Sequence, residues 1–248
     1  MGTTQTLQRQ FKQFRMTETA DALPTFLREA EQKSWTYQEL LVALCNHEEK
    51  RREEKMIQKY LIWAQFPFER TLDNFDTSQA AVLSDRQIGQ LKEFEWLNQA
   101  FNLLLLGPPG VGKTHISIGL GMEAIKQGKQ VSFISMAELI SLLKTEEYVR
   151  KSQLRLNRVR KSNLVIIDDM MFMAMETNEA NLFFQLVSDL YEKSSIILTS
   201  NKGPDSWSKM LGDQGIATAI LDRLLHRCEI IHMNGDSHRM KNRETIFE

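Results

Sequence analysis

Through the first 66 residues apolar positions recur at helical spacing, and no glycine follows Gly2 in that stretch. Leu7, Phe11 and Phe14 fall on one face of a first short helix. Ala20, Leu23, Leu27 and Ala30 align on a second helix from about Thr17, with Pro24 as its kink or its true start. Thr36-Tyr37-Gln38-Glu39 is a capping box with Trp35 and Leu40 at staple positions, so a third helix begins at Tyr37. Its apolar face opens with Leu40, Leu41 and Leu44 and resumes at Met56, Ile57, Tyr60 and Leu61. Between them His47 to Lys55 is almost wholly charged, either a solvated face or a surface for a partner or DNA. Phe66-Pro67 closes this helix.

An irregular linker, Phe68 to Thr77, carries Leu72 and Phe75. Ser84-Asp85-Arg86-Gln87 is a second capping box, opening a helix to about Asn98 with Ile88, Leu91 and Phe94 on one side. From Phe101 the pattern changes to strand and helix in alternation. Strands are expected at 101–106, 131–134, 164–167, 195–198 and 228–233. Helices are expected to about Gln127, around Leu139 to Leu143, from Glu147 to Lys161, and through Phe183, Leu186, Val187 and Leu190. Two shorter ones follow, near Pro204 to Leu211 and Gly215 to His226. Uniformly apolar strands separated by helices imply a five-stranded parallel sheet buried on both faces, an α/β fold. The expected domains are a helical one over 1–66, a linker and helix over 67–100, and the α/β domain over 101–248.

Composition narrows the class. The chain has 248 residues, 42% of them hydrophobic, a net charge of −1 and two cysteines, Cys45 and Cys228. No global attraction to DNA or membrane follows, so any basic surface is local. A disulfide framework is excluded as the organising device. No apolar segment is long enough for a signal peptide or a membrane span, and a cytoplasmic protein is the expectation. The twelve methionines, Met170, Met171, Met173 and Met175 among them, suit adaptable packing or an interface.

The chemistry centres on Gly107-Pro108-Pro109-Gly110-Val111-Gly112-Lys113-Thr114, which follows one apolar run and opens a helix. Glycines at these positions let successive amides turn inward around nucleotide phosphates, with the helix N-terminus adding partial positive charge. Lys113 supplies an ammonium for the β- and γ-phosphates, and Thr114 a hydroxyl for a magnesium ion. Asp168-Asp169 ends the third strand, placing Asp168 on the metal side and Asp169 beside the attacking water. Thr199-Ser200-Asn201 ends the fourth. If that strand is inserted between the phosphate-loop strand and the acidic one, Asn201 holds the lytic water.

Arg223 projects from a helix whose apolar side is Ile216, Ile220, Leu224 and Leu225, placed to enter a neighbouring subunit's site; Arg227 competes for the role. Arg239 and Arg243 lie four apart, with Arg239 as a nucleotide-sensing residue. The stretch from Arg150 to Lys161 holds Arg150, Lys151, Arg155, Arg158, Arg160 and Lys161 without an acid, a set that neutralises DNA phosphates independently of sequence. His226, Cys228 and His232 lack a second ligand pair at zinc-site spacing.

Together the phosphate loop, the ends of strands three and four, the basic helical segment and Asp222-Arg223-Leu224 resemble the IstB/DnaC branch of AAA+ ATPases. The N-terminal helices, Phe66-Pro67 and Gly235-Asp236-Ser237-His238-Arg239 are similar to the IstB-like transposition helper ATPases over nearly the whole chain. The resemblance implies a three-layer P-loop (AAA+/ASCE) core with a small all-α N-terminal domain. It also implies an ATP hydrolase using Mg2+ that forms a homo-oligomer (ring, spiral or filament) on double-stranded DNA, remodels it and recruits or activates the transposase of the same element.

By carry-over Lys113, Asp169, Asn201 and Arg223 are catalytic, Thr114 and Asp168 hold the metal, and Gly107, Pro108, Pro109, Gly110, Val111, Gly112, Lys113, Thr114, His115 and Arg239 hold the nucleotide. Asp169 stands where many members have glutamate, which implies slow turnover. About fifteen residues follow the last strand, so the helical lid of many relatives is not expected. A replicative-helicase loader and an ATP-gated DNA scaffold with little turnover are the alternatives; a small-molecule kinase is disfavoured.

Overall fold

A computed structural model describes residues 2–72, 83–170, 174–235 and 237. The chain divides into two compact units, Met1–Lys59 and Tyr60–Glu248. The first holds α1 (Thr3–Gln13), α2 (Thr17–Lys33) and most of α3 (Tyr37–Ala64). Pro24 lies inside α2 and is not its start. The capping box forms as expected: the Thr36 amide donates to Glu39 Oε2 at 2.7 Å, and the Glu39 amide to Thr36 Oγ1 at 3.2 Å.

Three charged residues in the middle of α3 are engaged by α2. Glu48 is buried and accepts from the Thr19 amide at 3.0 Å and the Thr19 hydroxyl at 2.8 Å, while Arg52 donates to its other oxygen at 2.8 Å. Arg51 and Lys55 both pair with Glu18. Most of the run is solvated charge, as one reading expects, and Glu48, Arg51 and Lys55 clamp it to the neighbouring helix.

In the second unit come α4 (Asp85–Lys92), α5 (Glu95–Asn98), β1 (Asn102–Leu106), α6 (Lys113–Lys126), β2 (Val131–Ser135), α7 (Met136–Thr145) and α8 (Arg150–Lys161). They are followed by β3 (Leu164–Asp168), α9 (Thr177–Leu190), β4 (Ser195–Ser200), α10 (Trp207–Met210), α11 (Gln214–Leu225) and β5 (Cys228–His232). The single helix expected to reach Asn98 breaks at Phe94, whose φ of 57° lets its ring turn fully inward. The helix expected from Glu147 starts at Arg150. Val149 is extended, and the Tyr148 and Val149 amides close back onto Thr145.

All strand pairs are parallel, in the order β2-β3-β4-β1-β5. β4 therefore separates β1 from β3, as the placement of Asn201 requires. Every residue of β1 and β4 is buried, and alternate side chains feed two cores. Leu104 and Leu106 pack with α7, α8, α9 and α11, while α6 packs against β2, β3 and β4 on the other face. Apolar area of this extent, at roughly 25 cal/mol per Å2 removed from water, holds the strand ends in fixed register.

Candidate functional site

The C-terminal ends of β1, β4 and β3 lie side by side, Leu106 opposite Ser200 and Ile167 opposite Leu198. Three short segments therefore meet: the loop after Leu106, Asn201 after β4, and the acid pair at the end of β3. Gly110 has φ +87°, and a Cβ there would lie 2.1 Å from Ser237 Oγ; one at Gly107 would lie 2.0 Å from the Met233 carbonyl oxygen. No side chain fits at Gly107 or Gly110 while Met233 and Ser237 lie against them. Val111 is the loop's buried anchor, and Pro108 and Pro109 are exposed.

Lys113, only 8% exposed, folds back over the loop and donates to Gly107 O at 2.7 Å, Pro108 O at 2.8 Å and Asn201 Oδ1 at 2.9 Å. The Thr114 hydroxyl donates to the Asp168 carboxylate at 2.9 and 3.2 Å. Thr199 Oγ1 donates to Asp168 Oδ1 at 2.7 Å and accepts from the Asp169 amide at 2.8 Å. Asp169 is left-handed, φ 57°, a conformation a non-glycine residue holds only when its surroundings impose it. The Met170 amide, bonded to Thr199 O at 2.9 Å, is the other half of that restraint. Two hydrogen-bonded sets thus lie side by side, Lys113 with Asn201, and Thr114 with Asp168 and Thr199; they are adjacent in the chain at Lys113-Thr114, and Thr199 ties Asp169 to the second.

Two contributors had no role from the sequence. Thr199 was visible only as part of a strand end; what makes it matter is the pairing of β3 with β4. Ser237 lies far along the chain from the loop it touches. His115, by contrast, has its Nε2 3.0 Å from the Thr71 carbonyl oxygen, so its ring faces the linker. Arg239 and Arg243 lie outside the described residues.

Arg223 and Arg227 sit elsewhere. They line a small cleft with Asn102, Ser194 and Ile196, at the start of β1 and β4 rather than at their ends. Arg223 is half-buried, its guanidinium 4.6 Å from the Phe184 ring centroid and bonded to Ala219 O at 3.1 Å. Arg227 is exposed and donates to Gln99 O at 3.2 Å.

The six bases of α8 divide by helical angle. Arg150, Lys151, Arg158 and Lys161 share an arc with Leu154 and Asn157, opposite the buried Ser152, Arg155, Leu156 and Val159. Arg155 is therefore a correction to the expected phosphate-contacting set: it is 5% exposed and donates to the backbone carbonyls of Trp63 and Phe133. Its Nε, 3.9 Å from Glu138, makes no hydrogen bond. Arg160 also leaves the face, bound by Glu146 and by Asp189 at 3.0 Å. Burial works against the Glu146 carboxylate, but the Arg160 hydrogen bond outweighs it and holds its pKa below the ordinary value.

No helix among the described residues is long and apolar enough to cross a membrane. The chain is 40% identical over 228 residues to a Bacteroides fragilis protein named for ATP binding and for its IS21-like insertion sequence, covering 92% of this chain and 87% of that one. It is 36% identical to a Pseudomonas aeruginosa counterpart from insertion sequence IS21, covering 88% and 83%.

Among solved structures, DnaI superposes with a TM-score of 0.55 at 20% identity, covering 69% of this chain and 91% of that one. The DnaC helicase loader gives 0.52 at 20% identity, covering 66% and 96%. These likenesses show a shared fold, the P-loop AAA+ core. With the family model matching residues 9–246, the chain belongs to the IstB-like ATP binding proteins.

Proposed function

We propose that this protein is an ATP-hydrolysing, DNA-binding helper of insertion-sequence transposition, working as a homo-oligomer that presents DNA to the transposase of its own element. The observation that carries the catalytic part is the convergence of two hydrogen-bonded sets, Lys113 with Asn201 and Thr114 with Asp168 and Thr199, at the ends of three adjacent strands. Lys113 swings from the loop carbonyls and Asn201 to the β- and γ-phosphates, leaving Asn201 to orient water. The hydroxyl of Thr114 and the carboxylate of Asp168 are hard oxygen groups held together, which fits magnesium. A magnesium ion there supplies charge neutralisation of the phosphates. Asp169, fixed by Thr199, accepts the water's proton.

The insertion-sequence relatives favour a transposase over a helicase as partner. DNA phosphates meet Arg150, Lys151, Arg158 and Lys161, and Arg223 acts on a neighbour's nucleotide. The test is phosphate release with duplex DNA for Lys113→Ala, Arg223→Ala and an equal mixture. Each variant alone is inactive, and the mixture regains turnover because some interfaces pair an intact loop with an intact arginine. Full activity of Arg223→Ala, or no recovery on mixing, refutes the trans arrangement. Wild-type turnover by Lys113→Ala refutes the whole reading.

A further inference from the structure

A cleft of about 360 Å3 opens where the last turns of α3 meet the start of β2 and the exposed face of α8. It is distinct from the nucleotide site, which lies at the opposite ends of the strands. Its volume is within the roughly 300–1,000 Å3 of small-ligand sites. Tyr60 and Trp63 form its aromatic wall, ring centroids 6.1 Å apart and tilted by 35°. The Arg158 guanidinium lies 5.5 Å from the Trp63 ring centroid, and Lys161 stands at the same side of the cleft. Among the described residues neither cation is ion-paired. Gln130, whose amide donates to Tyr60 Oη at 3.3 Å, and Asn157 add groups that both donate and accept.

Flat rings, two cations and edge amides match one ligand chemistry. Rings and guanidinium planes stack on a heterocycle, the amides read its edge, and the cations take the phosphates beside it. A cleft for an apolar partner side chain would have no use for two unneutralised bases. The platform is also rigid: Arg155, buried behind it, ties the Trp63 carbonyl to that of Phe133 on β2. That gives the buried arginine a role as a positioning residue.

We infer that this cleft takes an unpaired nucleobase of a DNA strand, its flanking phosphates on Arg158 and Lys161. The inference rests on the proposed DNA reading and adds to it a preference for DNA with an unpaired base. It places the protein on duplex that is locally opened, where a base has left the stack.

The experiment uses the full chain and three ligands: a duplex with one unpaired 2-aminopurine, the same duplex with that base paired, and free AMP as an unlabelled competitor. Wild type binds the unpaired probe about tenfold tighter than the paired duplex and quenches its emission. Trp63→Ala lowers affinity for the unpaired probe about 5- to 10-fold, the low end of one base–aromatic stack, and leaves the paired duplex unaffected. Trp63→Phe retains part of the preference. Lys161→Gln, at an exposed position, lowers the salt dependence by about one phosphate contact and serves where the tryptophan variants misfold.

Equal affinity for paired and unpaired probes, or a preference that survives in Trp63→Ala, overturns the inference while leaving duplex binding in place. Binding to neither duplex overturns the DNA reading with it. AMP binding that Trp63→Ala abolishes and DNA cannot displace makes the cleft a free-nucleotide site and overturns it. So does a Trp63→Ala chain that binds every probe normally and loses only its association with transposase.

Discussion

Replacing Thr199 with valine removes both jobs of one hydroxyl at once. The side chain is 1% exposed, so the extra methyl fills the hydroxyl's space and no water replaces it. The donor to Asp168 Oδ1 at 2.7 Å and the acceptor for the Asp169 amide at 2.8 Å are both lost. A hydrogen bond to a charged group contributes about 1.5–3 kcal/mol, and an orphaned buried amide costs about 1–3 kcal/mol. Asp168 is half-exposed and recovers part of its loss from water, so the net change is about 2–3 kcal/mol.

Urea unfolding measures that term. The second readout is turnover: with the left-handed Asp169 released, kcat for ATP falls about 10- to 100-fold. KM changes by less than about threefold, because the glycine loop and Lys113 are untouched. Thr199→Ser keeps the hydroxyl and restores both. A Thr199→Val protein with wild-type kcat and an unchanged unfolding midpoint refutes the claim that this side chain positions the acid pair.

Gly110→Ala meets both a positive φ and the Ser237 hydroxyl, so it weakens ATP affinity at least about tenfold by equilibrium titration while the melting temperature stays within a few degrees. For Glu48, burial pushes the pKa up, but the Thr19 hydroxyl and amide and Arg52 outweigh it and the carboxyl ends below its ordinary 4.5. Its contribution is therefore present above about pH 4.5 and lost as pH falls through the folded-state pKa. Circular dichroism during acid titration should show Glu48→Gln less helical or less stable than wild type at pH 7, the two converging at low pH. Burial first, and Glu229 second, push the Cys228 thiol up to about 12. At pH 8 a thiol reagent therefore labels exposed Cys45 rapidly, and Cys228 only after denaturation.

What was legible in the sequence is what depends on near neighbours. Both capping boxes, the apolar strands and the glycine loop are local patterns, and each forms where its residues placed it. Side chains whose partner lies on another element were the harder part. Arg155 counts as one of six bases in any tally of charge. Its helical angle, shared with Ser152, Leu156 and Val159, was nonetheless available before any contact was seen. Nothing local marks Glu48, whose burial depends on where Thr19 of α2 meets α3. Thr199 is the intermediate case: a polar residue near the end of an apolar strand is ordinary until the sheet order sets it beside Asp168.

The same sheet order bears on how the proposed activities are coupled. The nucleotide group lies at the C-terminal ends of the strands, whereas Arg223 and Arg227 line the starts of β1 and β4. Four strand steps of about 3.3 Å separate Asn102 from Leu106, roughly 13 Å, farther than an arginine held on Phe184 reaches. Under the proposed function, either arginine would serve hydrolysis only across an interface between copies. The basic arc of α8, the proposed DNA contact, has a shorter path. Lys161 is three residues from Leu164, where β3 begins, and β3 runs buried to Asp168. A contact that orders the end of α8 acts on the strand that carries both acids. The expected outcome, under the proposed function, is that DNA stimulates turnover most strongly where it engages the cleft beside Lys161.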